Sequence, residues 1–211
     1  RVGPLRIAGL SGTFRAGDYF TPHHEKPPYD EQTSRSAYSV REGDVARLER
    51  LTASAQPVDI VVSRDWPRGI WKHGNIEPML SAAEAAQHGE GAAGLRREVE
   101  SNMLGSPAAM ELLTRLRPAF WFAGHPQAKF AALVPHSDGT YTRFLALERC
   151  TSRNDFLQVL DIDPRSPSFL RQLPDSTSTN LYRPPRQNPY TRLHARLHYD
   201  PVWLAIQRAN H

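Results

Sequence analysis

A chain of 211 residues has room for one substantial core, or for one domain and a tail. Its 39% hydrophobic and 23% charged residues are ordinary for a globular domain, and no apolar run approaches the ~18 residues that a membrane span needs. Lysine and arginine outnumber aspartate and glutamate by 26 to 22, with arginine dominant; this suits a phosphate-bearing partner and equally suits a GC-rich genome. Cys150 is the only cysteine, which excludes an intrachain disulfide and fits an intracellular protein. The chain starts at Arg1 and runs straight into a strand-like stretch, so the expectation is a piece of a longer protein.

Taken in order, Leu5–Leu10 reads as a short strand ending in Gly9-Leu10-Ser11-Gly12. Thr13–Val40 reads as a long irregular segment, and its aromatics argue against disorder. It is read as an ordered binding loop, with Arg15, His23, His24, Lys26 and Arg35 offering donors to phosphate. Phe14, Tyr19, Phe20, Tyr29 and Tyr38 offer stacking faces to bases, and a loop pinned by its own aromatics is the equal alternative. Asp44–Leu51 carries a helical stripe, and Val58–Ser63 is the β-branched run of a buried strand, ending in the polar loop Arg64–Gly69. Ser81–Gly94 reads as a helix or a variable insertion, and Leu95–Met103 as helical. Ser106 with Pro107 opens a helix that runs to Leu116.

The stretch Leu116–Val134 is the centre of the pattern: a buried strand Phe120–Ala123, then Gly124-His125, then a second strand Phe130–Val134. Tyr141–Glu148 and Phe156–Ile162 read as further strands, Asp163–Arg192 as a linker, and Val202–Arg208 as a last helix capped by Asp200. Trp203, Leu204 and Ile206 are the residues expected to dock it. Trp66 and Trp121 are assigned to the core, and His73, His136, His194 and His198 to the surface. The result is an α/β pattern in which two strand ends, Arg64–Gly69 and Gly124–Gln127, carry the polar groups of a candidate site.

Several blocks resemble, in the correct order, the RNA lariat debranching enzymes, a branch of the calcineurin-like metallophosphoesterases. They are RIAGLSG, HHEKPPYDEQTSRSAYSVR, DIVVSRDWPRGI, NMLGSPAAMELLTRLRPAFWFAGHPQAKFAAL, RFLALERC, FLQVLDI and LHYDPVWLAIQR. The resemblance implies a two-sheet metallophosphoesterase sandwich flanked by helices, with its N-terminal part absent here. Residues 1–162 would be the distal part of that domain, with a lariat-recognition loop over Tyr19–Ser39, and 163–211 a C-terminal segment with linker and short helix. It further implies a nuclear enzyme of mRNA processing that hydrolyses the 2′–5′ phosphodiester at the branch point of intron lariats. A divalent Mn, Fe or Zn would lower the pKa of a bound water there. RNA contacts are expected at Tyr19, Phe20, His23, His24, Lys26, Tyr29 and Arg35.

Two departures matter. The family's proximal metal motifs, including its Gly-Asn-His-Glu element, precede the segment that this chain matches. Where the family has a metal-binding histidine after the strand ending at Ser63, this chain has Arg64, and the family's His-x-His becomes His125-Pro126-Gln127. Only His125 keeps its ligand type. An arginine cannot ligate, and its charge opposes a divalent ion by roughly 8 kcal/mol at about 4 Å and an effective dielectric of about 20. Arg64 is read as an ion pair with Asp65 or Glu148, as a direct grip on phosphate, or as an error of sequence, since each change needs only one base. The expectation is a chain that does not itself hydrolyse RNA. The alternative is a degenerate relative that serves as an RNA-binding structural component of a ribonucleoprotein. Half of a sandwich would leave apolar faces uncovered, so the isolated chain is expected to self-associate, take a partner or fold only in part.

Overall fold

A computed structural model describes residues 1–86, 90–151, 154–160, 162 and 197–209. Its frame is one mixed five-stranded sheet: β1 (Ile7–Leu10), β2 (Ile60–Asp65), β3 (Phe120–His125), β4 (Phe130–Pro135) and β5 (Tyr141–Ala146), in the order β1-β2-β3-β5-β4. The first three strands and β5 run parallel, and β4 returns antiparallel to β5 as a hairpin partner. Between β1 and β2 lie α1 (Ala16–Tyr19), α2 (Glu31–Ala37) and α3 (Glu42–Glu49). Between β2 and β3 lie α4 (Glu77–Ala86), α5 (Glu90–Glu100) and α6 (Pro107–Leu116); α7 (Pro201–Arg208) comes last. Among the described residues no helix is long and apolar enough to cross a membrane.

Strand alternation decides which side is core. Ala8, Leu10, Val61, Trp121, Ala123, Phe144 and Ala146 are buried on one face, beneath α3 and α6. Trp66 is fully buried just past β2, stacked on Phe130 at 5.0 Å and edge-on to Phe144 at 5.3 Å. The Trp121 indole N–H donates to Ser63 Oγ (2.9 Å), and that hydroxyl donates to the Asp65 carbonyl (2.7 Å), so the core tryptophan fixes the end of β2. Both tryptophans are core residues, as expected. The start of α6 also follows the sequence: Ser106 Oγ accepts from Ala109 N (3.1 Å), with Pro107 behind it. Gly105 precedes it at φ +93°, where a Cβ would meet the Trp66 carbonyl at 2.7 Å.

The opposite face is largely open among the described residues. The register aligns Gly9, Val62, Phe122, Leu145 and Ala131 in one row and Ile7, Ile60, Phe120, Arg143 and Leu133 in the next. Ile7 and Val62 are exposed, and Phe120, Phe122 and Leu145 are only half-buried. Among the described residues this is one sheet with one helix-covered side.

Several expectations are corrected. Thr13–Val40 is ordered but not structureless, since it contains α1 and α2; Asp30 caps α2 by accepting from Thr33 N (2.7 Å). The expected strand Phe156–Ile162 does not form across 156–160. Both edges of β5 are already taken, by β3 and β4, and Leu157 and Val159 lie exposed. Leu204 faces outward, whereas Val202, Trp203 and Ile206 pack on the core. His136 is half-buried and its Nε2–H donates to Thr142 Oγ1 (2.7 Å), whose own proton goes to the Pro118 carbonyl (2.6 Å). The Ser81–Gly94 stretch falls across α4 and α5, whereas the linker Asp163–Arg192 and His194 lie outside the described residues.

Asp200 anchors α7. Its Oδ1 accepts from Val202 N (2.9 Å), and its Oδ2 takes Arg1 Nε (2.7 Å) and buried Arg6 Nε (2.8 Å). Burial opposes the Asp200 charge, but hydrogen bonds from Arg6 and Arg1 overcome it and hold the carboxyl far below the usual range. Because the folded pKa is depressed, the stabilisation is complete above the unfolded pKa of about 3.9 and is lost as pH falls below it toward the folded value. Asp200→Ala strands the Arg6 guanidinium and should cost about 3 kcal/mol at pH 7, read as a fall in melting temperature. That deficit should shrink steadily below about pH 4, where the wild-type carboxylate begins to protonate. An equal deficit at pH 7 and pH 2 would contradict the assignment.

Candidate functional site

Parallel strands bring their C-terminal ends to one edge, and the polar residues gather there. Asp65 at the end of β2 pairs in register with His125 at the end of β3, and Trp66 N donates to the His125 carbonyl (3.2 Å). Arg64 Nη1 pairs with Asp65 Oδ1 at 2.7 Å, so of the two carboxylates weighed from sequence it is Asp65, not Glu148, that takes it. Asp65 Oδ2 accepts from Phe14 N (2.8 Å), which latches the segment after β1 to the end of β2. Gln127 is occupied as well: its Oε1 accepts from Arg149 Nε at 2.5 Å. Glu148 Oε2 accepts from Asp155 N (2.8 Å).

A divalent ion fits this edge poorly. Arg64 puts a fixed cation at the position, Asp65 has both oxygens engaged, and Gln127 shares its oxygen with a second arginine. His125, exposed at the strand end, is the one nitrogen donor there of a type that metals favour. Among the described residues no group of three or more His, Cys, Asp or Glu side chains stands close enough to share a metal ion.

The long segment after β1 springs from the same edge. Thr13 N donates to the Tyr38 carbonyl and Val40 N to the Thr13 carbonyl (both 2.9 Å), closing the segment at its base. Arg41, only 2% exposed, holds its interior. Its Nη2 pairs with Glu25 Oε1 (2.6 Å) and donates to Ser36 Oγ (2.7 Å), while Nη1 donates to the Asp18 carbonyl. The Ser36 hydroxyl on Glu25, with backbone N–H groups, holds that carboxyl down to about 2, so it stays ionised throughout the physiological range. His23 stands between Glu25 Oε2 and Asp44 Oδ2, at 3.3 Å from each.

The residues expected to meet RNA divide in two. Phe20 and Tyr29 project into solvent, and Lys26 is exposed and makes no ion pair among the described residues. His24 is exposed, with Nδ1 near the Pro22 carbonyl (3.2 Å), and Arg35 pairs across one turn with Glu31 (2.5 Å). Tyr19 instead turns inward, half-buried against Phe14 at a centroid distance of 5.2 Å, and burial raises its phenol pKa. Tyr38 is 74% exposed beside the loop base and belongs with the exposed set. Asp65, Arg41 and Arg149 are structural members of the site that periodicity could not single out; a buried arginine within a polar loop leaves no apolar trace.

Comparison with known proteins gives the same direction throughout. A model of the C-terminal domain of the lariat debranching enzyme matches residues 139–211. The Homo sapiens lariat debranching enzyme is 44% identical over 174 residues, covering 79% of this chain and 30% of the relative. The Gallus gallus enzyme is 44% identical over 215 residues, 99% of this chain and 33% of its own length. The Arabidopsis thaliana enzyme is 40% identical over 170 residues, 80% of this chain and 38% of its own. The chain thus spans about a third of the length of these relatives. By these matches it belongs to the lariat debranching enzyme family.

Proposed function

We propose that this chain serves in lariat debranching in the nucleus, the hydrolysis of the 2′–5′ phosphodiester at the branch point of intron RNA, and that its share of the work is the grip on branched RNA. The observation that carries this reading is the loop over Thr13–Val40. It is clasped from inside by Arg41 and Glu25, and it presents Phe20, Tyr29 and Tyr38 to solvent beside Lys26. Exposed aromatics on a rigid loop can stack on splayed bases, and the branch nucleotide is unpaired and splayed by its own chemistry. The family's metal, Mn, Fe or Zn, would find His125 as a donor but not a full ligand set among the described residues. We therefore read this chain as binding without cleaving. The same Arg64 favours the second reading, an RNA-binding component of a ribonucleoprotein that never cleaves.

The open sheet face fits the other half of a two-sheet metallophosphoesterase sandwich, which buries such a face against a second sheet. Left uncovered, Ile7, Val62, Phe122 and their neighbours form an apolar strip that favours self-association. Sedimentation over a range of concentrations should reveal self-association of the isolated chain, relieved in Val62→Lys. A monodisperse wild type would contradict it.

Branched RNA should bind this chain more tightly than linear RNA of equal length, with no linear product released in Mn²⁺. Tyr29→Ala and Tyr38→Ala should each weaken the branched complex by about 1–3 kcal/mol, the usual loss for a stacked base, as measured by fluorescence anisotropy. Equal affinity for the two RNAs, falling steeply and alike with salt, would reduce the interaction to generic charge. Release of linear product by this chain would overturn the non-cleaving reading.

A further inference from the structure

We propose that the strand-end edge is a metal-independent phosphate site, in which Arg64 and Arg149 bind a phosphodiester oxygen pair directly. The inference rests on the reading of the chain as an RNA-gripping member of its family and names what the grip's second half holds. Arg64 sits at the end of β2, His125 at the end of β3, and Arg149 just beyond β5; these three strands are consecutive neighbours in the sheet. The register that pairs Ser63 with Ala123 and Asp65 with His125 sets Gly124 beside Arg64. A Cβ at Gly124 would meet nothing within 4 Å, so the strand end is open at that position.

Both arginines are oriented yet incompletely used. Arg64 spends Nη1 on Asp65, and Arg149 spends Nε on Gln127; among the described residues their remaining N–H groups have no acceptor. A guanidinium fixed through one nitrogen presents its other edge as a fork, the geometry that matches two phosphate oxygens. Arg64 is 46% exposed, so the pair with Asp65 orients it without withdrawing it from a ligand. The carboxylates nearby already have partners, Asp65 taking Arg64 itself through Oδ1. Asp65 also accepts from Phe14 N, Glu148 accepts from Asp155 N, and Asp155 pairs with Lys129 at 2.5 Å.

The test uses this chain in EDTA with inorganic phosphate as probe, following the Nε–H resonances of Arg64 and Arg149 by NMR. Saturable shifts of both are expected. Arg64→Ala and Arg149→Ala should each lower phosphate affinity about tenfold, the usual effect of losing a charged hydrogen-bond donor. Arg64→Lys, which keeps the charge and loses the fork, should fall between. Tyr38→Ala should leave phosphate binding unchanged while weakening branched RNA, so failure of the loop reading and failure of this one are told apart. The melting temperature of Arg64→Ala should match wild type, because a half-exposed ion pair contributes little stability. Absence of saturable phosphate binding, dependence on added Mn²⁺, or unchanged affinity in Arg64→Ala would overturn the proposal.

Discussion

A single buried guanidinium, that of Arg41, sets the shape of the surface on which the functional reading depends. The loop packs Phe14 and Tyr19 inward but is otherwise polar, so hydrogen bonds and charge pairs fix much of its conformation. Arg41 reaches three parts of the loop at once, near Asp18, Glu25 and Ser36, and the ionised Glu25 is the charge that makes its burial tolerable. Removing either partner would leave the other charge buried and alone. Asp65 plays the matching part outside the loop, since one carboxylate bonds to Phe14 N and to Arg64 and so ties the loop's first residues to the strand ends. Loop and strand-end edge are thereby joined through one carboxylate.

The chemistry of that edge follows from charge. A metal centre needs several anionic or imidazole donors converging on one point, and it tolerates no fixed cation among them. Arg64 reverses the sign at one corner, and the engagement of Gln127 by Arg149 brings a second guanidinium to a neighbouring strand end. The same phosphate that a metal would neutralise can instead be met by forked N–H donors. On the proposal made above, such a site would hold a phosphodiester without supplying an activated water.

Much of the fold was legible because strand and helix periods are local. The parallel strands, the Ser106-capped helix α6 and the Asp200-capped helix α7 follow from alternation, β-branching and capping residues in the sequence. At Phe156–Ile162 an apolar run is not enough: β3 and β4 flank β5, the strand just before it, and residues 156–160 do not add to the outer edge that β4 leaves free. Helices α1 and α2 were hidden because their residues are polar and turn-forming, with the Asp30–Thr33 cap as the one local signal. At the site, the alignment of Asp65 with His125 is a matter of register, which the pairing of distant strands sets. The inward turn of Tyr19 onto Phe14 and the burial of Arg41 against Glu25 likewise depend on how the segment folds back on itself and on the core. No window of the sequence contains that information.

On the proposed reading, one surface, loop and strand ends together, holds the branch. The most direct measurement is photocrosslinking of branched RNA carrying 4-thiouridine next to the branch nucleotide, followed by mapping of the linked peptides. Crosslinks shared between the loop around Tyr29 and Tyr38 and the strand ends around Arg64 and His125, and absent with linear RNA, are the predicted result. Crosslinks confined to α7 or spread evenly over the basic surface, or the same pattern with linear RNA, would contradict it.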